Sequence, residues 1–306
     1  VPASPVPGPL RLVCDDDGVR LDRFLAARMA ETSRRRAAAI IAAGAVRVNG
    51  RAVAKGQLLR RGDAVDISAS GLLPDALRPE PELAVPILYE DDVLIALAKP
   101  AGMPAVALHT SDCGTAANFL IAQAPDTIAA GPTPLEAGLV HRLDNGTSGV
   151  LLAARSPAAW QALRLQFRRR QVDKRYLAWV DGLVGDGGEQ REPIAHHPRQ
   201  AQLMVTCPDP ARAATLRARP AATSYRPIEQ RGGATLLAVT IASGVRHQIR
   251  VHLAGIGHPL CGDPLYGGSP APRLMLHATE VAVRHPRDGQ RLSISCPPPP
   301  DFGVAG

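Results

Sequence analysis

The spacing of apolar residues changes period several times along the chain, and each change marks an element. Leu21, Phe24 and Leu25 recur at helical spacing and predict a first amphipathic helix. Ser33 is a natural N-cap for a second helix over 34–43, with Ile40 and Ile41 on its buried side and Gly44 ending it. From Val46 to Val53 apolar and polar residues alternate around Asn49-Gly50, which predicts a hairpin. Gly62-Asp63 introduces a last short strand. These elements form one small α+β unit over 19–67. Residues 1–18 precede it, and the prolines at 2, 5, 7 and 9 make this a disordered lead-in. Residues 68–84 hold three prolines and no periodicity, so a linker is expected.

A second, larger domain is expected over 85–296. Ile87–Tyr89 and Val93–Leu97 read as paired strands across Glu90-Asp91-Asp92. Thr115 caps a helix carrying Phe119, Leu120 and Ile121, and Val150–Ala154 is an apolar run fit for a buried strand. Ser156-Pro157 starts a helix whose Trp160, Leu163 and Phe167 share one face. Lys174–Gly182 alternates as a strand, and Thr235–Ile241 is another. Between them, 184–222 is rich in Gly and Pro and reads as irregular. Arg246–Leu253 reads as a helix burying Ile249, Leu253 and Ile256, with Arg246 and Arg250 on another face. A last hairpin turns at Asp288-Gly289, and 297–306 reads as a loose tail.

Charge changes the picture. The 306 residues carry a net charge of +7, and +5 of it lies within 1–70. A basic excess placed there suits a polyanion. Arg34, Arg35 and Arg36 open the second helix, where cations oppose the macrodipole, so phosphate contact is the expected reason for them. Arg164 and Arg168–Arg170 form a second basic run, either a solvated face or a phosphate track. Five scattered cysteines with no C-x-x-C pair suggest neither a disulfide framework nor zinc, and favour a reducing, cytoplasmic setting. No apolar run approaches the roughly 18 residues of a membrane helix, and no secretory leader is visible.

The chemistry concentrates in His141-Arg142-Leu143-Asp144-Asn145-Gly146-Thr147-Ser148-Gly149, a charged loop that feeds directly into the buried strand. A lone Asp before Asn-Gly is ordinarily a solvated turn residue. The kinase pattern H-R-D-x-x-x-x-N is broken by Leu143, and no glycine-rich phosphate loop accompanies it. The string resembles the H-R-L-D-x-x-T-S-G loop of the RluA family of RNA pseudouridine synthases. Further stretches resemble that family in order: Lys99-Pro100-Ala101-Gly102 (K-P-x-G), Lys174–Gly182 (K-x-Y-x-A-x-V-x-G), Arg246–Leu253, Gly257–Gly267 (G-H-P-x-x-G-D-x-x-Y-G) and Leu276-His277-Ala278. Two departures stand out. Val245 occupies a position where the family has Arg, and Arg246 one where it has Thr or Ser. Residues 20–67 resemble the alpha-L RNA-binding domain first seen in a small-subunit ribosomal protein.

The resemblance implies an α+β protein, with a small alpha-L domain ahead of a catalytic domain on a mixed, mainly antiparallel sheet flanked by helices and loops. It implies conversion of uridine to pseudouridine in structured RNA, with no cofactor and no metal. Asp144 would be the carboxylate that breaks the glycosidic bond, by attacking the ribose, adding to the base or taking a ribose proton. Arg250 would be its cationic partner. Tyr176 would stack on the base and relay the carbon-5 proton, and Leu276 would wall the uracil. Arg142 would fill the space left by the flipped nucleotide. His141, Lys99 and Arg246 would join it in contacting substrate, and Arg34, Arg35 and Arg36 would grip phosphates. The expected partner is RNA, large-subunit ribosomal RNA ahead of transfer RNA, for a monomer with no obligate protein partner. Two competing readings remain. A nucleoside hydrolase would need a second carboxylate, and no motif pairs one with Asp144. A non-catalytic RNA-binding or ribosome-assembly protein would not need Asp144 at all.

Overall fold

The computed structural model describes residues 9–29, 32, 34–54, 56–68 and 77–304, with only the backbone of Arg35. The chain divides into two compact units, 1–76 and 77–306. In the first, β1 (Leu10–Val13) and β2 (Val19–Arg20) lead into α1 (Leu21–Arg28) and α2 (Arg34–Ala42). Then come β3 (Val46–Val48), β4 (Arg51–Ala52), β5 (Leu58–Leu59) and β6 (Ala64–Ile67). One sheet runs in the order β1-β6-β3-β4 and β2 pairs with β5. Leu21, Leu25, Ile41, Val46, Val65 and Ile67 form its core. Asn49 and Gly50, at φ of 51° and 77°, make the hairpin turn expected of them. Part of the stretch expected as a lead-in is ordered. Residues 10–13 are a strand paired to β6, and Cys14 is buried, because the alternating residues of LRLV have a sheet edge to complete. Ser33, the expected cap, lies outside the described residues.

The second unit contains β7 (Ile87–Glu90), β8 (Leu94–Lys99), α3 (Ala116–Gln123), β9 (Ser148–Ala154), α4 (Pro157–Arg168) and β10 (Asp173–Asp181). The stretch read as irregular holds β11 (Gly188–Gln190), β12 (Ile194–His196), β13 (Met204–Thr206) and α5 (Pro210–Thr215), all too short to show a period. β14 (Thr223–Arg231), β15 (Ala234–Ile241), α6 (Gln248–Gly255), β16 (Leu276–Arg284) and β17 (Arg291–Ser295) complete it. The main sheet runs β11-β14-β15-β10-β16-β9-β8-β7, with β17 also on β16. Every pairing in it is antiparallel except β16 with β9.

Alternation along the strands feeds two cores, one on each face. Ile95, Leu97, Leu151 and Ala153 face α3 and α6 through Phe119, Leu120, Ile249 and Leu253. Leu94, Ala96, Val150 and Leu152 face α4 through Ala159 and Leu163. The helices start where the sequence says. Thr115 and Asn118 make a reciprocal capping box at α3, and Ser156 Oγ accepts the Ala159 amide at α4.

Two expected boundaries shift. Leu77, inside the stretch assigned to the linker, is buried in the main core, and Glu80 accepts the Gly114 amide while its own amide donates to Asn118 O. Residues 77–84 therefore belong to the second unit, where irregular backbone replaces periodicity. The tail also packs: Phe302 and Val304 lie against Trp179, Cys261 and Met275.

Candidate active site

The loop before β9 is shaped by its own backbone first. The Thr147 amide donates to Asp144 O at 3.0 Å, closing a turn with Asn145-Gly146 at its centre. Beyond it the chain enters β9 alongside the parallel strand β16, with His277 opposite Ser148 and Ala278 opposite Gly149. A side chain at 149 would place Cβ 2.1 Å from Ala278 O, and φ there is +117°. Only glycine allows β9 and β16 to approach this closely.

Beneath the turn lies Lys99, 1% exposed. Its Nζ donates to Pro100 O (2.8 Å), Met103 O (2.7 Å) and Asn145 O (3.1 Å). Burial, with the Arg273 charge nearby, pushes its pKa down to about 7, although Asp144 opposes this. A buried ammonium with three carbonyl acceptors cannot reach RNA, so Lys99 is a support of the turn and not a substrate contact. His141 is similarly committed. Its Nε2 accepts the Leu152 amide at 3.1 Å and its ring stacks on Phe167 at 5.0 Å. Burial, reinforced by Lys174 and Arg164, lowers its pKa to about 3, so it stays neutral.

Asp144 keeps about a fifth of its side chain exposed. Arg250, from α6, donates Nη1 to Asp144 Oδ2 at 3.3 Å. The same guanidinium is gripped from behind by Asp263, which is fully buried and accepts from Nε and Nη2 at 2.7 Å each. This fork-to-fork pair fixes the direction in which Nη1 points. Asp263 also accepts the Leu265 amide, so the Gly262–Gly267 turn positions it. Sequence reasoning paired Arg250 with Asp144 and gave Asp263 no role. The G-D of the matched stretch was its only signal.

His247 was likewise missed. Its Nε2 lies 3.9 Å from Asp144 Oδ2, and its Nδ1 is 2.9 Å from Tyr266 Oη, which accepts the Met204 amide. Its φ of +55° breaks the chain direction just before α6. That break corrects the expected helix: α6 begins at Gln248, so Arg246 does not share a helical face with Arg250. Arg246 instead donates to Ala201 O and Gln202 O. Val245 is buried with Ile194, Met204 and Val251, so the position that departs from the family pattern serves a local apolar cluster.

Asp144, Tyr176, Arg250 and Leu276 line one cleft of about 710 Å³. That is within the roughly 300–1,000 Å³ usual for small-molecule sites. Tyr176, on β10 beside β16, is 8% exposed, and its hydroxyl has no protein hydrogen-bond partner among the described residues. Burial, with Asp144 nearby, raises its pKa well above the usual phenol value, so it is a neutral donor. Arg142, Arg168, Arg170 and Arg219 are exposed on the same cleft, and none has a carboxylate partner among the described residues. In the first unit, Arg34 donates to Asp22, whose carboxyl is drawn down to about 2 by hydrogen bonding to Arg20 and then Arg34, against its burial. Arg34 is thus answered within the protein. Among the described residues no group of three or more His, Cys, Asp or Glu side chains could hold a metal ion.

Comparison with known proteins agrees with this geometry. A family model described as RNA pseudouridylate synthase matches residues 93–255, and one described as the S4 domain matches 19–65. A protein of Nitrosomonas europaea named ribosomal large subunit pseudouridine synthase D is 35% identical, covering 94% of this chain and 83% of its own. One of Mycobacterium bovis, named an uncharacterized RNA pseudouridine synthase, is 38% identical over 93% of this chain and 92% of its own. Among solved structures, human RNA pseudouridylate synthase domain containing 1 shares the fold, with a TM-score of 0.58 at 22% identity over 74% of this chain and 89% of its own. A sheet that brings Asp144, Arg250 and Tyr176 to one cleft, matched across both units, has one reading: the chain belongs to the RluA family of RNA pseudouridine synthases and carries an S4 RNA-binding domain ahead of its catalytic domain.

Proposed function

We propose that this enzyme isomerises specific uridines of large-subunit ribosomal RNA, with Asp144 as the reacting carboxylate. The observation that carries the site assignment is the ionic chain Asp263–Arg250–Asp144, ending in a cleft walled by Tyr176 and Leu276. In the reaction the N1–C1′ bond breaks, the uracil turns, and a C5–C1′ bond forms. The C5 proton leaves and N1 ends protonated, so atoms balance without a co-reactant. Asp144 opens the glycosidic bond as nucleophile or base. Arg250 pairs with it and holds it in place, because its own orientation is set by Asp263. Tyr176 covers the base and offers a neutral hydroxyl near the leaving proton. Leu276 and the other apolar walls hold the detached uracil against loss to water. A buried target must first leave its stack, and the exposed Arg142 beside Asp144 meets the backbone of the flipped nucleotide.

The choice of RNA rests on the names of the relatives and on the unmatched arginines around the cleft, which suit a folded, phosphate-dense substrate. Tritium release from RNA labelled at carbon 5 of uridine tests it, with ribosomal and transfer RNA taken separately from cells lacking the gene. Release from ribosomal RNA alone is expected; release from transfer RNA alone would overturn the substrate. Asp144→Asn is expected to lower the rate by at least about three orders of magnitude, about 4 kcal/mol of barrier, with RNA binding retained. A variant that kept most of its activity would remove Asp144 from the chemistry.

A further inference from the structure

Asp144 stands on a wall shared by two cavities. Besides the cleft with Tyr176, Asp144 also lines a second cavity of about 540 Å³. Arg142, Leu143, Asp144, Arg246, His247 and Arg250 line both. The rest of its lining is of a different kind: Pro104, Val106, Leu108 and Leu265 give it an apolar stretch beside the polar Asp112, Cys113 and Thr115, with no aromatic ring among these residues. Leu108 is 72% exposed. It does not hang from a loose segment: its amide and that of His109 donate to Asp112 Oδ2, and the Gly114 amide donates to Glu80. A fastened loop that holds an apolar side chain out to solvent beside a reacting group calls for a ligand that covers it.

The substrate supplies one. A uridine in RNA is one link of a strand, so the chain must leave the reaction centre in two directions. Leaving toward the second cavity, it would meet a cation first and an apolar wall next. Arg142 is exposed, has no carboxylate partner among the described residues and borders both cavities. That sequence of charges and surfaces matches one nucleotide step, phosphate and then base. We propose that the second cavity is a subsite for the base of the nucleotide adjacent to the target uridine, with the bridging phosphate on Arg142 and the base against Leu108, Val106 and Leu265. The subsite makes the enzyme read its neighbour nucleotide, which is how a shape-selecting enzyme gains local context. This inference rests on the proposed reaction at Asp144.

The protein carries its own probe. Cys113 lines the second cavity and is exposed, whereas Cys14, Cys207, Cys261 and Cys296 are buried. A synthetic hairpin containing a uridine that the full-length enzyme isomerises, shown by tritium release, is bound at saturation to Asp144→Asn protein. Alkylation of Cys113 by iodoacetamide is then timed, with Cys113→Ser as the blank. The intact hairpin is expected to slow alkylation about tenfold or more. A hairpin made abasic at one neighbour of the target is expected to restore the free rate, and the neighbour that does so gives the direction of the strand. If both neighbour-abasic hairpins protect as well as the intact one, or only the target-abasic hairpin loses protection, the subsite is wrong while the reaction stands. Absence of tritium release from every RNA would instead remove the reaction itself. Leu108→Asp in the otherwise unchanged enzyme is expected to raise KM about tenfold at constant kcat; an unchanged KM also overturns the subsite.

Discussion

Asp144 is reached by two side chains from a distant part of the chain, Arg250 and His247, and the residues that support the loop and this pair differ in the cost of their removal. Asp263 gives the sharpest test because it is fully buried and its partner, Arg250, is only 6% exposed. Asp263→Asn leaves a buried guanidinium without its two-oxygen clamp. A loss of about 3–5 kcal/mol in urea unfolding is expected, together with a fall in kcat, since Nη1 is no longer aimed at Asp144. Stability unchanged within 1 kcal/mol would show that solvent replaces the clamp. His141 makes a statement about acid. Its pKa falls from 6.5 to about 3 on folding, because of its burial and then the nearby Lys174 and Arg164. The unfolded chain therefore binds the extra proton first, and the His141 contribution is complete above about pH 6.5 and is lost as pH falls toward 3. Wild type is expected to lose about 1–2 kcal/mol more than His141→Gln between pH 7 and pH 5, read from urea midpoints. Equal losses would mean that His141 titrates normally.

At the scale of elements, the junction of β9 and β16 decides where the loop can stand. Its parallel pairing is only two residues long, and Gly149 is the point of closest approach. Gly149→Ala forces Cβ onto the Ala278 carbonyl in a backbone conformation that L residues rarely adopt. More than about 3 kcal/mol of destabilisation is expected, with activity in the folded fraction reduced because the Asp144 turn moves with the strand. A folded, fully active Gly149→Ala protein would disprove the close packing. Lys99 serves the same junction from below by gathering carbonyls of two loops. Apolar patterning alone reads this lysine as a surface residue, and only the K-P-x-G resemblance sets its segment beneath the catalytic loop. Only the three-dimensional return of Asn145 over Pro100 buries it.

At the scale of the molecule, the basic residues of the second unit have an address that counting could not give. Arg168 and Arg219 lie about fifty residues apart in sequence, yet both border the cleft of Asp144. If they neutralise phosphates, Arg168→Gln with Arg219→Gln should reduce the slope of log affinity against log salt by roughly 1.4–1.8, at 0.7–0.9 per contact. Filter binding to ribosomal RNA fragments over a salt series measures it, and an unchanged slope would return both to the solvent. The sequence by itself determined the local order. The helix caps at Ser156 and Thr115, the Asn49-Gly50 and Asn145-Gly146 turns, and the buried β9 follow from neighbours a few residues apart, where backbone geometry and apolar spacing act directly. The family motifs also singled out Asp144, Tyr176 and Arg250, because short chemical strings are visible whatever their distance. Tertiary structure alone decided the rest: that Asp263 holds Arg250, that Val245 is buried, that residues 77–84 and 301–304 pack onto the sheet, and that Asp144 lines two cavities. Each depends on which strands neighbour one another. That is settled by burial summed over the whole sheet, a quantity no local stretch of sequence contains.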